Sequence, residues 1–205
     1  MPTPQPVTGS PTEGVGPASV APRNLADAVE RLAHAVRVLR WDAAYALGLS
    51  PTQLSVLETL DVAPAPRRRV GALAEELDLT APTVSDAVAT LRRKGLVEAA
   101  GPSGRGPLGL TEAGQNLLRS TPRWDAPMEA ALGELSADRR DTTYAAVLDV
   151  IGALQRAGVI TVARTCTTCR FFDRTGDTTP RCALLDAPLP PVALGLDCPE
   201  HEQVA

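Results

Sequence analysis

The chain has 205 residues, a hydrophobic share of 44%, an aromatic share of 3% and a formal net charge of −4. Such a length fits about one to two ordinary globular domains, and scarce aromatics leave alanine and short aliphatic side chains to fill the core. The acidic balance excludes a protein that coats nucleic acid indiscriminately, and no apolar run approaches the roughly 18 residues of a membrane span, so the expected location is the cytoplasm with no membrane partner.

Residues 1–23 are rich in Pro, Gly, Ser and Thr, show no periodicity and read as a disordered tail. From Asn24, Leu25, Ala28, Val29, Leu32, Ala35, Val36 and Leu39 recur at helical spacing and predict a long helix with one apolar stripe. Ser50-Pro51-Thr52-Gln53 then combines a cap, a first-turn proline and an N3 glutamine, and the helix it starts buries Leu54, Leu57 and Leu60. Pro64 and Pro66 break the chain before Arg67-Arg68-Arg69, which reads either as a solvated loop or as a phosphate contact.

Leu73, Ala74, Leu77 and Leu79, followed by Val84, Val88 and Leu91, predict two short amphipathic helices meeting at residues 78–80. The second opens on small polar residues, Thr83, Ser85 and Asp86, which let a backbone approach phosphates and base edges in a DNA major groove. Arg92-Arg93-Lys94-Gly95 supplies a basic last turn and a glycine stop. Residues 96–98 and 108–110 read as paired strands around a loop with a cation, Arg105, at its tip, and Thr111-Glu112 starts the next helix. Helix, helix, hairpin, helix is a winged helix. Beyond it, a helix over residues 112–121 is interrupted by Pro122 and Pro127, resumes at Met128, and gives way to a helix capped by Ser136 with the stripe Tyr144, Val147, Leu148, Ile151 and Leu154.

The order and spacing of Leu73-Ala74-Glu75-Glu76-Leu77, Pro82-Thr83-Val84-Ser85, Leu91-Arg92-Arg93-Lys94-Gly95-Leu96-Val97 and Leu110-Thr111-Glu112-Ala113-Gly114 resemble the MarR family of winged helix-turn-helix transcriptional regulators, over residues 24–157. Ser103-Gly104-Arg105 stands where that family's wing usually carries Asp-x-Arg, so the arginine is kept and its acidic partner is lost. The resemblance implies a mainly α fold with a small β-wing and a helical dimerisation region, in which the first helix and the last two knit a homodimer. It further implies a DNA-binding regulator, here taken as a repressor, that reads a pseudo-palindromic double-stranded operator and answers to a small-molecule effector held between dimerisation helices and DNA-binding domain. The DNA-contacting residues expected on this basis are Thr80, Ala81, Pro82, Thr83, Ser85 and Asp86 at the groove, Arg92, Arg93 and Lys94 on its flank, and Ser103 and Arg105 in the wing.

The resemblance ends before the cysteines. Three segments are therefore expected: the tail 1–23, the MarR-like domain 24–158, and a small irregular module 159–205, opened by a possible strand at residues 160–162. Cys166, Cys169, Cys182 and Cys198 have the spacing C-x2-C-x12-C-x15-C, with His201 three residues after the last. In a reducing compartment such a set suggests metal or redox chemistry more than structural disulfides. A zinc ion wants four ligands; Cys166 and Cys169 form one knuckle, and the second pair is either Cys182 with Cys198 or Cys198 with His201. A 4Fe–4S cluster also takes four cysteines and tolerates scattered ligands. The run C-x2-C, then Phe171 and Phe172, then Cys-x-Leu and an isolated Cys is similar to the cluster site of high-potential iron–sulfur proteins. A metal-free dithiol switch is the third possibility. Either metal centre would couple metal or redox state to DNA affinity. Two other readings are an iron–sulfur electron-transfer protein and a zinc-stabilised adaptor that uses the winged helix for docking. No Ser/His/Asp set, phosphate loop or paired carboxylates point to an enzyme.

Overall fold

The computed structural model describes residues 20–100, 106–121, 123–175 and 179–204. The expected tail therefore lies almost wholly outside the described residues, as do the wing-tip positions Ser103 and Arg105 and the proline at 122. Seven α-helices are described: α1 Pro22–Ala46, α2 Pro51–Val62, α3 Val70–Glu76, α4 Ala81–Arg93, α5 Glu112–Ser120, α6 Ala126–Gly133 and α7 Ala137–Arg156. Strands β1 (Val97–Ala99) and β2 (Leu108–Leu110) form the antiparallel wing, with Val97 opposite Leu110 and Ala99 opposite Leu108. Among the described residues no helix is long and apolar enough to cross a membrane.

The chain divides into a unit ending at Val38 and a second from Leu39 onward. In the first, the described turns of α1 expose Leu25, Val29 and Leu32, the stripe expected from periodicity. In the second, Leu54, Val56, Leu57 and Leu60 of α2 meet Leu73 of α3, Val84, Val88 and Leu91 of α4, and Val97 and Leu108 of the wing in one core. Burial of such side chains contributes about 1.5–3 kcal/mol each before chain entropy is counted. Local signals place the helix ends. Ser50 and Gln53 form the reciprocal capping box at α2, Thr80 accepts from the Thr83 amide at α4, and Thr111 accepts from the Gly114 amide at α5. Gly95, at φ +70°, ends α4 in the left-handed conformation that a Cβ disfavours.

Four expectations are corrected. Leu79, expected on the buried face of the helix-turn-helix, is exposed in its turn, where Asp78 takes φ +50° and redirects the chain. Residues 160–162 are not a strand. The C-terminal module is less irregular than expected: β3 (Phe172–Asp173), β4 (Arg181–Cys182) and β5 (Ala187–Pro188) form an antiparallel three-stranded sheet in the order β3-β4-β5. Finally, the α7 stripe is shared out. Leu148 is fully buried beneath Leu189 and Leu194 of the module, with Tyr144 and Ile151 packed beside it, whereas Val147, Val150 and Leu154 stay exposed. The break near the prolines is present as expected, but Pro127 sits in the opening turn of α6, where its missing N–H costs nothing.

Candidate nucleic-acid interface and cysteine cluster

The face of α4 opposite its buried stripe carries the polar residues singled out from sequence. Ala81, Pro82, Thr83, Ser85 and Asp86 are all exposed, while Val84, Ala87, Val88 and Leu91 are buried. At 100° per residue, Pro82, Asp86 and Arg93 point furthest from the core, and Ser85 and Arg92 turn to one flank. On that flank they line an open groove with Arg69 and with Gly106 and Leu108 at the foot of the wing. Thr83 lies on the other flank, its hydroxyl 2.8 Å from the hydroxyl of the cap Thr80.

The basic residues separate by role. Arg68 is structural: its Nε donates to the Ala63 carbonyl at 2.7 Å, and its own carbonyl accepts from the Leu108 amide at 2.7 Å, which ties the loop before α3 to the wing. Arg69, the next residue, joins Arg92 in the groove. Sequence marked the triplet as a unit, because nothing in three consecutive arginines says which side chain the backbone turns outward. Lys94 was expected on the flank; its ammonium donates to the Gly48 carbonyl in the α1–α2 connection, so it is anchored to the scaffold. Arg93 is exposed and donates to Thr90 Oγ1 at 2.8 Å.

The four cysteines, scattered over more than thirty positions, come together. All are free thiols, half-buried, and all line one cavity. Phe171, Phe172, Leu184, Leu185 and Leu189 complete the wall, with Glu200 as its single charged side chain. The sulfurs are spread around this wall. Among the described residues no three His, Cys, Asp or Glu side chains converge as closely as a single bound ion requires. Burial pushes the Cys166 thiol above its usual range, the Gly195 amide opposes the shift, and Cys198, Cys169 and Cys182 add to it. That amide donates to Cys166 Sγ at 3.2 Å. His201 is committed elsewhere, its Nε2 2.9 Å from the buried Thr168 hydroxyl.

The Cys-Thr-Thr-Cys turn is fastened to the scaffold through its threonines. Thr167 donates to the Leu148 carbonyl of α7 at 3.1 Å, and Tyr144 of α7 donates to the Leu194 carbonyl at 2.9 Å. Toward the helix-turn-helix, the Thr161 amide donates to Asp78 Oδ1 at 3.1 Å in the turn between α3 and α4. Arg164 makes the strongest link. Its Nη2 donates to both carboxylate oxygens of Glu76 at the end of α3, while its carbonyl accepts from the Cys198 amide at 3.2 Å. One residue thus bonds a cysteine of the cavity through its backbone and a helix of the helix-turn-helix through its side chain. No sequence pattern announces that pair, which is separated by 88 positions.

A family model described as "MarR family" matches residues 47–106, the segment from the start of α2 to the wing. Among solved structures, the chain is similar to the MepR–DNA complex of S. aureus, at 22% identity and a TM-score of 0.53, covering 62% of this chain and 94% of that one. It is also similar to Sco5413, a MarR family transcriptional regulator from Streptomyces coelicolor, at 18% identity and a TM-score of 0.50, covering 64% and 93%. No curated protein matches. These likenesses show a winged helix-turn-helix fold over the covered part of the chain, and residues 47–106 match the MarR family model.

Proposed function

We propose that the protein is a sequence-specific regulator of transcription that binds double-stranded operator DNA as a homodimer and represses by occupying it. The observation that carries this reading is the outward face of α4: small polar residues at its start, Arg92 and Arg93 at its end, and Arg69 beside it at the foot of the wing. Polar side chains there reach base edges and the arginines hold phosphates, which fixes register and orientation. The similar MepR protein was crystallised with DNA, which supports the same use of the fold here. A dimer is supported by the exposed apolar residues of α1 and by Val147, Val150 and Leu154 on α7. Two-fold symmetry then calls for a pseudo-palindromic site.

The four cysteines hold a metal centre in this reading, and its state adjusts DNA affinity. Support comes from the two links that join the cysteine module to α3 and to the turn before α4, through Arg164 and Thr161. A further cavity of about 570 Å³ lies between α2, α3 and the module, with Arg67, Glu76 and Arg164 on its wall, and suits a small effector. Selection of bound sequences from a random double-stranded pool tests the central claim. Enrichment of a two-fold related motif is the expected result. Recovery of no motif, with the protein folded and loaded with metal, would remove DNA as the ligand and favour docking to another protein.

A further inference from the structure

We infer that the cysteine cavity is built for a four-iron, four-sulfide cluster and not for a single zinc ion. The inference rests on the reading of the four cysteines as a metal site and names what fills it. The spacing of the ligands decides between the two. A zinc ion holds sulfur at about 2.3 Å, which draws four tetrahedral thiolates to roughly 3.8 Å from one another and leaves no space among them. Here the four cysteines line one cavity, and no three of them converge on one point as a single ion requires. A cubane places its own iron–sulfide cage between the ligands, so it requires sulfurs spread in this way.

The wall fits the same occupant. An apolar void among these side chains is costly in a small module, because its lining forfeits contacts on one side. A cluster restores them. Phe171 and Phe172 and the leucines at 184, 185 and 189 present hydrocarbon to the cage and keep water from its sulfides. The two rings are held in place by cations, Arg170 at 4.6 Å from the Phe171 centroid and Arg174 at 5.4 Å from that of Phe172, each itself paired with a carboxylate, Glu202 and Asp149. The Gly195 amide aimed at Cys166 Sγ supplies the backbone-to-sulfur hydrogen bond by which proteins set the potential of such centres. His201, held by Thr168, leaves the cysteines as the complete ligand set.

Metal and sulfide content of the full chain, purified without oxygen, tests the inference. The expected protein is brown, absorbs broadly near 400 nm and carries about four irons and four sulfides. The metal-free chain should regain them from equal amounts of ferrous and ferric iron with sulfide. His201→Ala should retain the full iron content, and Cys182→Ser should lose most of it; the wild-type content decides the matter even if that variant does not fold. A colourless protein with about one tightly held zinc, refusing iron and sulfide, would overturn the cluster and leave the metal site standing. Uptake of neither would overturn both, and the DNA selection above would be unaffected by any of these results.

Discussion

Gly114 shows how much one atom decides in this fold. A Cβ at that position would stand 2.2 Å from the Leu96 carbonyl oxygen, because α5 starts directly against the strand that follows α4. Thr111 fastens the same junction, donating through its amide and its hydroxyl to the carbonyls of Leu96 and Gly95. Gly114→Ala is therefore expected to lower stability by about 1–3 kcal/mol in urea unfolding, as overpacking against backbone does. Gly109→Ala, on β2 with open space around it, should stay near neutral. The arginines before α3 give a second contrast. Arg69→Ala should flatten the dependence of log affinity on log salt by about one unit, as loss of one phosphate contact requires. Arg68→Ala should leave that slope unchanged and instead destabilise the fold by about 1 kcal/mol, since its bond to Ala63 holds a loop and not DNA. Equal slopes in both variants would take Arg69 out of the interface.

At the level of elements, what could be read from sequence follows from the range of the interactions. Caps, turns and amphipathic stripes are local, and Ser50-Gln53, Thr80-Thr83 and Val84-Val88-Leu91 marked α2 and α4 because each signal lies within a turn or two of helix. Two-residue strands carry no periodicity, so the sheet β3-β4-β5 stayed hidden behind the cysteines it positions. Periodicity also shows that a stripe is apolar without saying what covers it, which is why Leu148 read as a dimer contact and proved to be the floor of the module. The pairing of Arg164 with Glu76 is the most consequential of these long-range facts. Both side chains are mostly shielded from solvent, at 17% and 25% exposure, so removing one partner should cost about 1–3 kcal/mol. Its functional signature is sharper. In the wild type, removal of the metal centre should change operator affinity; in Arg164→Ala that change should shrink, because the side-chain link from Cys198's neighbour to α3 is gone. Affinities of both proteins with and without metal form a cycle whose non-zero coupling is the expected result. A response undiminished in the variant would place the coupling elsewhere.

For the whole molecule, the module alters what the last helix can offer a partner. With Tyr144, Leu148 and Ile151 covered from within the chain, α7 presents Val147, Val150 and Leu154 instead, a narrower seam than the sequence stripe implied. A second copy seated on that seam would lie alongside the helix that floors the cysteine cavity, so in the proposed dimer the cysteine module and the contact would share α7. Val150 is 52% exposed and touches neither core, so Val150→Arg should leave the monomer folded while placing a cation in the seam. The expected outcome is a sedimenting species of half the mass with unchanged helical content. Operator affinity should fall by about 10²-fold or more, since binding of the second half-site is then no longer intramolecular. Binding to an isolated half-site should be unaffected, because α4 and the wing are intact. If Val150→Arg remains a dimer, the two-fold contact does not depend on that seam, and the state of the cysteine module would reach the operator through its links to α3 and to the turn after it.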